Sequence, residues 1–585
     1  RAFRSCDALL GHARTQALKI ADPSGLPVRP QPGVAFPAAD SGARGEGAPA
    51  ATPTSDAVPS HSTTNVQEAG VDEPDLVKTD GRFVFALAGG ALRVVDVRGA
   101  EPKVVATLRL DGFAQEMLLS GGRLLVFSQP AYGTGIAEGG VGSTLTEVDV
   151  RDPANPAIVR TLELEGNYVS ARLNGTTARV VIGSYPRPIP LAGGEGTELR
   201  RRRAAIRRTR LKTWVPRYRL TNARTKRSVR RSLVSCRATR RPAVFSGLGM
   251  LTLLTIDLSK GITPVDSDGL MTDARTVYGS PTSLYVASER WVDPGGDVPL
   301  PGGRGTTVHR FDARDSDHTT FRASGSVRGY LLNQFALSEH DGVLRVATTE
   351  APLWWSGPDT RERSESFVTV LGESGGVLRT LGQVGGLGRG ERIYAVRFIE
   401  DQGYVVTFRQ VDPLYVLALA DPSAPRVVGE LKILGYSAYL HPIAGDLLIG
   451  VGQDATEEGR TRGIQVSLFD VSKPSAPARL DAAALGQGSS SEAEFDHHAF
   501  LWWAPSSLAV IPLRTYDTER ETFMGAAGFR VDRAKGVDEA GRVSHEPRSP
   551  IRRSLVVGDR LFTVSDAGIK ASRIDTLGDV AFAPF

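Results

Sequence analysis

From about residue 76 to its end the chain repeats one texture: apolar runs of about five to seven residues, each cut off by a turn. Phe83-Val84-Phe85-Ala86-Leu87 stops at Gly89-Gly90, and Leu92-Arg93-Val94-Val95-Asp96-Val97 follows. Leu124-Leu125-Val126-Phe127 comes after Gly121-Gly122, and Tyr404-Val405-Val406-Thr407-Phe408 is built alike. β-Branched and aromatic residues fill these runs, and almost nothing between them has a helical period, so they read as strands. One strand pair carries a tight turn, as in Ser120-Gly121-Gly122-Arg123, Thr79-Asp80-Gly81-Arg82 or Val557-Gly558-Asp559-Arg560. The next pair reads apolar-x-apolar-Asp-apolar, a turn with proline, then another apolar run. Examples are VVDVRGAEPKVVATL at 94–108, EVDVRDPANPAIVRTL at 147–162 and SLFDVSKPSAPARL at 467–480. Proline at these places marks an edge or a turn, because it cannot donate to a central ladder.

Four strands per unit at a period of roughly 40–55 residues predict an all-β fold, a β-propeller of four-stranded blades. A lone sheet cannot bury both faces, whereas sheets packed around a ring bury both and leave only short edges. Nine units can be laid out, starting near residues 76, 114, 167, 274, 330, 392, 437, 493 and 549. The expected number is about eight, range seven to nine, with one unit incomplete or a ring-closing blade shared by the two chain ends. The propeller covers 65–585. Residues 1–22 predict a short helix with Leu9, Leu10, Ala13, Ala17, Leu18 and Ile20 on a partly apolar stripe. Residues 23–64, rich in Pro, Ala, Gly and Ser, predict a flexible linker.

Composition fits this reading. The 64 Gly and 36 Pro among 585 residues favour turns over long helices, and a 41% apolar fraction suffices for a core. A coiled coil, a collagen-like chain, a membrane bundle and a wholly disordered protein are excluded, and no apolar run reaches the roughly 18 residues a spanning helix needs. The chain starts with Arg1, which fits either a removed signal peptide or a trimmed chain.

Charge is uneven. Arg200 to Arg241 holds 16 Arg, 2 Lys and no acid, a charge of +18, and the chain total is +5, so the remainder carries −13. This basic arm falls inside the third unit, between Val180-Val181-Ile182 and Leu251-Thr252-Leu253-Leu254, as an insertion at about 199–241. Arg200, Arg201, Arg202, Arg203, Arg207 and Arg208 are its anion-binding candidates. Trp214 and Tyr218 interleave with Arg217 and Arg219, a pattern that can stack on and neutralise a nucleic acid. The favoured partners are instead a protein or an anionic cell-surface polymer, with Trp214 packed on the propeller. The two cysteines, Cys6 and Cys236, are either two thiols or one long-range bridge.

The segment from Asn65-Val66-Gln67-Glu68-Ala69-Gly70-Val71-Asp72-Glu73-Pro74-Asp75 through Gly81 resembles the lead-in motif of bacterial and archaeal secreted proteins with a C-terminal β-propeller domain. The segments at 391–419, GYSAYLHPIAGDLLIGVGQDA at 435–455, SLFDVSKPSAP at 467–477 and FDHHAFLW at 495–502 resemble the same family. The resemblance implies a distantly WD40-like propeller, an extracellular or cell-surface location, and no established catalytic residue to carry over. Its members pair an early Cys with a Cys just before the segment Arg241 to Leu258, which implies a Cys6–Cys236 disulfide.

Candidate sites are few. Asp72, Glu73, Asp75 and Asp80 offer oxygens for Ca²⁺; the alternative is a turn cluster with Lys78 as partner. Asp266-Ser267-Asp268-Gly269 is half a calcium loop, and Asp454, Glu457 and Glu458 share a glycine-bounded one. His441, Asp496, His497 and His498 are channel-lining candidates for a metal or a proton-transfer pair, against a plain role in hydrogen bonding between blades. On a strand, His497 and His498 would point to opposite faces. No H-E-x-x-H or P-loop is present, and no cofactor is expected. The sequence therefore reads as a secreted or surface-held binding or scaffold module. The alternative is an extracytoplasmic hydrolase or oxidoreductase with its site at the channel mouth.

Overall fold

The aspartate of the repeated motif stops a strand. In seven units it lies at or just past the end of the third strand and accepts the main-chain N–H two residues on. Asp96 accepts from Arg98 at 3.0 Å, Asp149 from Arg151 at 3.1 Å, Asp257 from Ser259 at 3.0 Å and Asp312 from Arg314 at 3.1 Å. Asp421, Asp470 and Asp532 do the same for Ser423, Ser472 and Ala534. Such a turn offers the backbone a local partner in place of the ladder, so the chain reverses there and returns as the fourth strand. The tight turns use left-handed glycine: Gly121 and Gly122 have φ of 57° and 72°, as a two-residue hairpin loop requires.

The computed structural model describes residues 1–21, 60–130, 142–190, 197–242, 245–263, 266–290, 305–351, 364–408, 412–443, 446–517 and 520–585. Among them the strands form nine four-stranded antiparallel units, here blades 1 to 9, spanning 77–109, 113–164, 167–270, 276–328, 337–387, 392–433, 436–484, 501–543 and 551–584. Nine is the top of the expected range. Neither chain end shares a blade with the other, because blades 1 and 9 each hold four strands of contiguous sequence. The ring closes by face packing instead. Val77, Val84 and Val95 of blade 1 lie against Val557, Phe562 and Ile569 of blade 9. The same kind of layer recurs around the ring, from Phe85 and Val126 between blades 1 and 2 to Val510 and Leu561 between blades 8 and 9. Each buried aliphatic or aromatic side chain in these layers contributes about 1.5–3 kcal/mol.

The insertion leaves blade 3 between its second strand, Thr177–Ser184, and its third, Met250–Asp257, which pair with each other across the gap. It reaches back to blade 2. Strand Arg217–Asn222 pairs with that blade's outer strand Ala157–Leu164, and Ser228–Ser232 adds a sixth strand outside it.

Helix α1, Cys6–Ile20, is capped by Ser5, whose hydroxyl accepts from the Ala8 N–H at 3.2 Å. Its buried stripe Leu9, Ala13 and Ala17 packs on Ile206 of helix α2 (Glu198–Arg208), Trp214 and Val234 of the arm. A disulfide joins Cys6 to Cys236 across 230 residues. Trp214 is buried, donates to Thr209 Oγ1 at 3.0 Å and shares one apolar cluster with α1, α2 and Met250 of blade 3. Of the segment read as a linker, residues 23–59 lie outside the described residues, as does residue 22. Residues 60–64 rest on the ring: the Ser62 N–H donates to Val556 O at 2.8 Å. Among the described residues no helix is long and apolar enough to cross a membrane.

Candidate functional site

Residues 61–75 form a strap that runs across the ring's centre and bonds to the first strand of one blade after another. His61 bridges to Val557 of blade 9. Asn65 Nδ2 donates to Tyr439 Oη of blade 7 at 2.7 Å and to the His497 carbonyl at 2.8 Å. Gln67 Nε2 donates to Leu337 O of blade 5 at 2.9 Å, and Glu68 accepts from Tyr278 Oη of blade 4 at 2.7 Å. Asp72 pairs through its backbone with Leu173 of blade 3, and Asp75 with Met117 of blade 2, before the chain enters blade 1. Gly81, with φ of 81°, leaves room for the start of the strap, since a Cβ there would come within 2.6 Å of His61 Nδ1. Fixing so many residues costs conformational entropy, and the hydrogen bonds to nearly every blade offset it.

Where the strap turns back, charges converge. Glu73, 2% exposed, accepts from the Gln67 N–H at 3.2 Å and from Gln334 Nε2 at 3.1 Å. Its Oε2 lies 3.1 Å from His497 Nε2 and 3.4 Å from His498 Nε2. Arg172 Nε stands 3.8 Å from its Oε1. Asp496 accepts the His498 main-chain N–H at 3.0 Å and lies 3.1 Å from His498 Nδ1. Buried Arg553 binds Asp75 at 2.6 Å and Asp496 at 2.5 Å, and Glu492 at 3.3 Å.

The electrostatics follow from this packing. Burial alone would protonate Glu73, but Arg172 and the two histidines outweigh it and hold its carboxyl well below the usual range. Burial disfavours a charged His498, yet the hydrogen bond with Asp496 and the Glu73 carboxylate beside it hold the imidazolium well above the ordinary histidine value. Asp496 is likewise held low against burial, chiefly by Arg553. At nearby Glu116 burial outweighs the charges of His498 and Arg172. Burial pushes its carboxyl up to about 7, opposed by the hydrogen bond from Tyr168.

The expected channel residues separate into two groups. Asp496, His497 and His498 join this cluster. His497 and His498 are not on a strand: they begin a short 3₁₀ turn, His497–Ala499, capped by Asp496. The tighter winding brings their rings to 3.9 Å, facing one carboxylate, which the strand reading did not allow. His441 is apart. Its Nδ1 lies 2.8 Å from Tyr439 Oη, its ring packs 4.8 Å from Phe500, and burial lowers it to about 3.

The four acids read as calcium candidates each have their own partners. Asp72 pairs with Lys78 at 2.8 Å, Asp75 with Arg553, Asp80 accepts from the N–H groups of Arg82 and Phe83, and Glu73 faces the histidines. Asp266 faces His318 at 3.5 Å, burial lifts Asp268 to about 6, and Asp454 faces Arg462 at 3.6 Å. On the arm, Arg200, Arg203, Arg207 and Arg208 are exposed, and Arg201 and Arg202 half-buried.

Sequence reasoning missed Arg172, Arg553, Gln334 and Glu116. A signal was present for the arginines. In Val169-Ser170-Ala171-Arg172-Leu173 and Ile551-Arg552-Arg553-Ser554-Leu555 a cation interrupts the first strand of a blade, the one that faces the channel.

A family model described as the beta propeller domain matches residues 61–577. The chain belongs to this family. The match to the beta propeller domain begins at His61, where the strap begins, so strap and ring are one unit. An uncharacterized protein of Methanocaldococcus jannaschii is 42% identical over 189 residues, 32% of this chain and 28% of that one. An uncharacterized protein of Archaeoglobus fulgidus is 43% identical over 187 residues, 32% of this chain and 27% of that one. The matches thus span under a third of either relative. A chain in the crystal structure of the mitotic checkpoint complex aligns with a TM-score of 0.30 and 13% identity, covering 55% of this chain and 82% of that chain, too distant to bear on function.

Proposed function

We propose that this propeller is a noncatalytic binding or scaffold module at the cell surface or outside the cell, and that it takes an acidic protein segment or an anionic surface polymer on its basic arm. The observation that carries this reading is the strap. It occupies the centre of the ring, and its bonds engage the channel groups an enzyme would need free, including Tyr439, Glu73 and His497. The binding reading then rests on the periphery. Strand Ser228–Ser232 is exposed along its whole length at the outer edge of blade 2 and carries Arg230 and Arg231, with Arg224, Lys226 and Arg227 in the turn before it. Arg200, Arg203, Arg207 and Arg208 add charge from α2. Arginine forks suit carboxylate, sulfate and phosphate groups alike.

The test is binding of the full chain to dextran sulfate and to poly-L-glutamate. Raising salt from 0.05 to 0.5 M shortens the Debye length from about 14 to about 4 Å and is expected to weaken binding about tenfold or more. The variant with Arg200→Glu, Arg203→Glu, Arg207→Glu and Arg208→Glu should lose it. Binding that ignores both salt and the variant would overturn the reading.

A further inference from the structure

We propose that Glu73, His497 and His498 form a binding site for one divalent transition-metal ion of the zinc type, which clips the strap to the turn before blade 8.

Three observations carry this. The first is convergence. One carboxylate oxygen and two imidazole nitrogens, brought from segments 424 residues apart, all lie within 4.8 Å of one another. The two histidine Nε2 atoms stand 3.1 and 3.4 Å from Glu73 Oε2. Two ligand atoms held about 2.0–2.1 Å from one tetrahedral ion are about 3.3 Å apart. The two distances to Glu73 therefore match the spacing of ligands on one ion.

The second is the support around the ligands. A metal-binding histidine commonly gives its other ring nitrogen to a carboxylate, which fixes the tautomer and aims the ligand nitrogen. Asp496 stands in that place, 3.1 Å from His498 Nδ1, and also caps the turn through the main chain. Gln334 and the Gln67 N–H fix Glu73, Asn65 holds the His497 carbonyl, and Phe335 packs edge-on to the His497 ring at 5.0 Å. Arg172 approaches the other oxygen, Oε1.

The third is an unmatched atom. His498 Nε2 is buried and has no hydrogen-bond partner of good geometry, although it sits within ion-pair range of Glu73. Left so, a buried polar atom costs free energy; an ion between the three groups would displace the Nε2 proton to solvent and take the lone pair it leaves. The donor set selects the metal class. Two imidazoles and one carboxylate suit zinc and its neighbours, whereas Ca²⁺ takes about six to eight oxygens and soft ions prefer thiolates. Both cysteines are in the disulfide.

The full chain is stripped with chelator, loaded separately with Zn²⁺ and Co²⁺, freed of unbound ion and submitted to elemental analysis. About one ion per chain is expected, with a raised melting temperature on Zn²⁺ addition. H498Q and E73Q should each lose the ion, and H441Q, altered at the histidine bonded to Tyr439, should keep it. Should H498Q or E73Q fail to fold, X-ray absorption on the loaded natural chain decides the matter by reporting two imidazole ligands or none. A natural chain that retains neither Zn²⁺ nor Co²⁺, ion retention in folded H498Q and E73Q, or an absorption edge without imidazole would each overturn the proposal.

Discussion

Arg553 and Asp75 are 478 residues apart in the chain and 2.6 Å apart in space. The pair joins the first strand of the last blade to the end of the strap, just before the first blade begins. Ring closure in this propeller is thus marked by a buried ion pair as well as by the apolar layer between blades 1 and 9.

Removing that cation should be costly. Arg553→Met leaves Asp75 and Asp496 buried without their shared partner, and the expected loss is about 3–5 kcal/mol. Urea denaturation followed by circular dichroism would read it as a lower midpoint at unchanged slope. Arg98→Met breaks an exposed pair with Asp96 and should leave the midpoint in place. Equal midpoints for the two variants would contradict the role given to Arg553.

Glu116 should make the ring less stable as pH rises. Its carboxyl titrates near 4.5 in an unfolded chain and at about 7 in the fold, where burial, helped by Asp75, outweighs Tyr168, His498 and Arg172. Between those values the folded state holds a proton that the unfolded state has released. Stability therefore falls from about pH 4.5 to about pH 7 and is flat beyond, a contribution of order 1–3 kcal/mol. Glu116→Gln removes this term, so the gap in denaturation midpoint between variant and parent should widen toward the variant from pH 5 to pH 8. A constant gap would refute the assignment.

The Cys6–Cys236 link should appear as one cross-linked peptide in a nonreducing digest of oxidised protein. Closing a loop of 230 residues restricts the unfolded chain by about 5 kcal/mol in the chain-entropy model. The double variant Cys6→Ser, Cys236→Ser should melt lower and release α1 to protease first. Unchanged melting would show that the packing of Leu9, Ala13 and Ala17 suffices.

Trp214→Ala should loosen the arm more than the ring. The ring of Trp214 fills the small core shared by α1, α2 and Val234, and its loss is expected to cost about 3–5 kcal/mol there. Limited trypsin digestion reports it directly, because 16 arginines lie between 200 and 241. Faster cleavage in the arm with the nine blades left intact is the expected pattern; cleavage spread evenly through the chain would count against a separate arm core.

The blades were legible because their signals are local. A glycine pair that must be left-handed, an aspartate that caps its own turn and a run of alternating β-branched residues each act within about ten residues, and their repetition announces the ring. The unit starts near 167, 392 and 437 agree with first strands at Asn167, Arg392 and Tyr436. The basic insertion was equally readable from charge.

The site was legible only as parts. Glu73 drew notice among acids, and Asp496, His497 and His498 among channel candidates, but nothing in sequence joined the two groups. Their meeting depends on the strap crossing the ring, a path fixed by hydrogen bonds or backbone bridges to most of the blades. The choice of nine blades is of the same kind. It rests on how sheet faces nest all the way round, a property of the closed ring that no single repeat contains. Sequence by itself determined the blade, its turns and the charge of the arm, since these follow from neighbours along the chain. The tertiary structure decided the number of blades, the strap's course and the Glu73–His497–His498 cluster, because each requires residues hundreds of positions apart to be packed before their energies count.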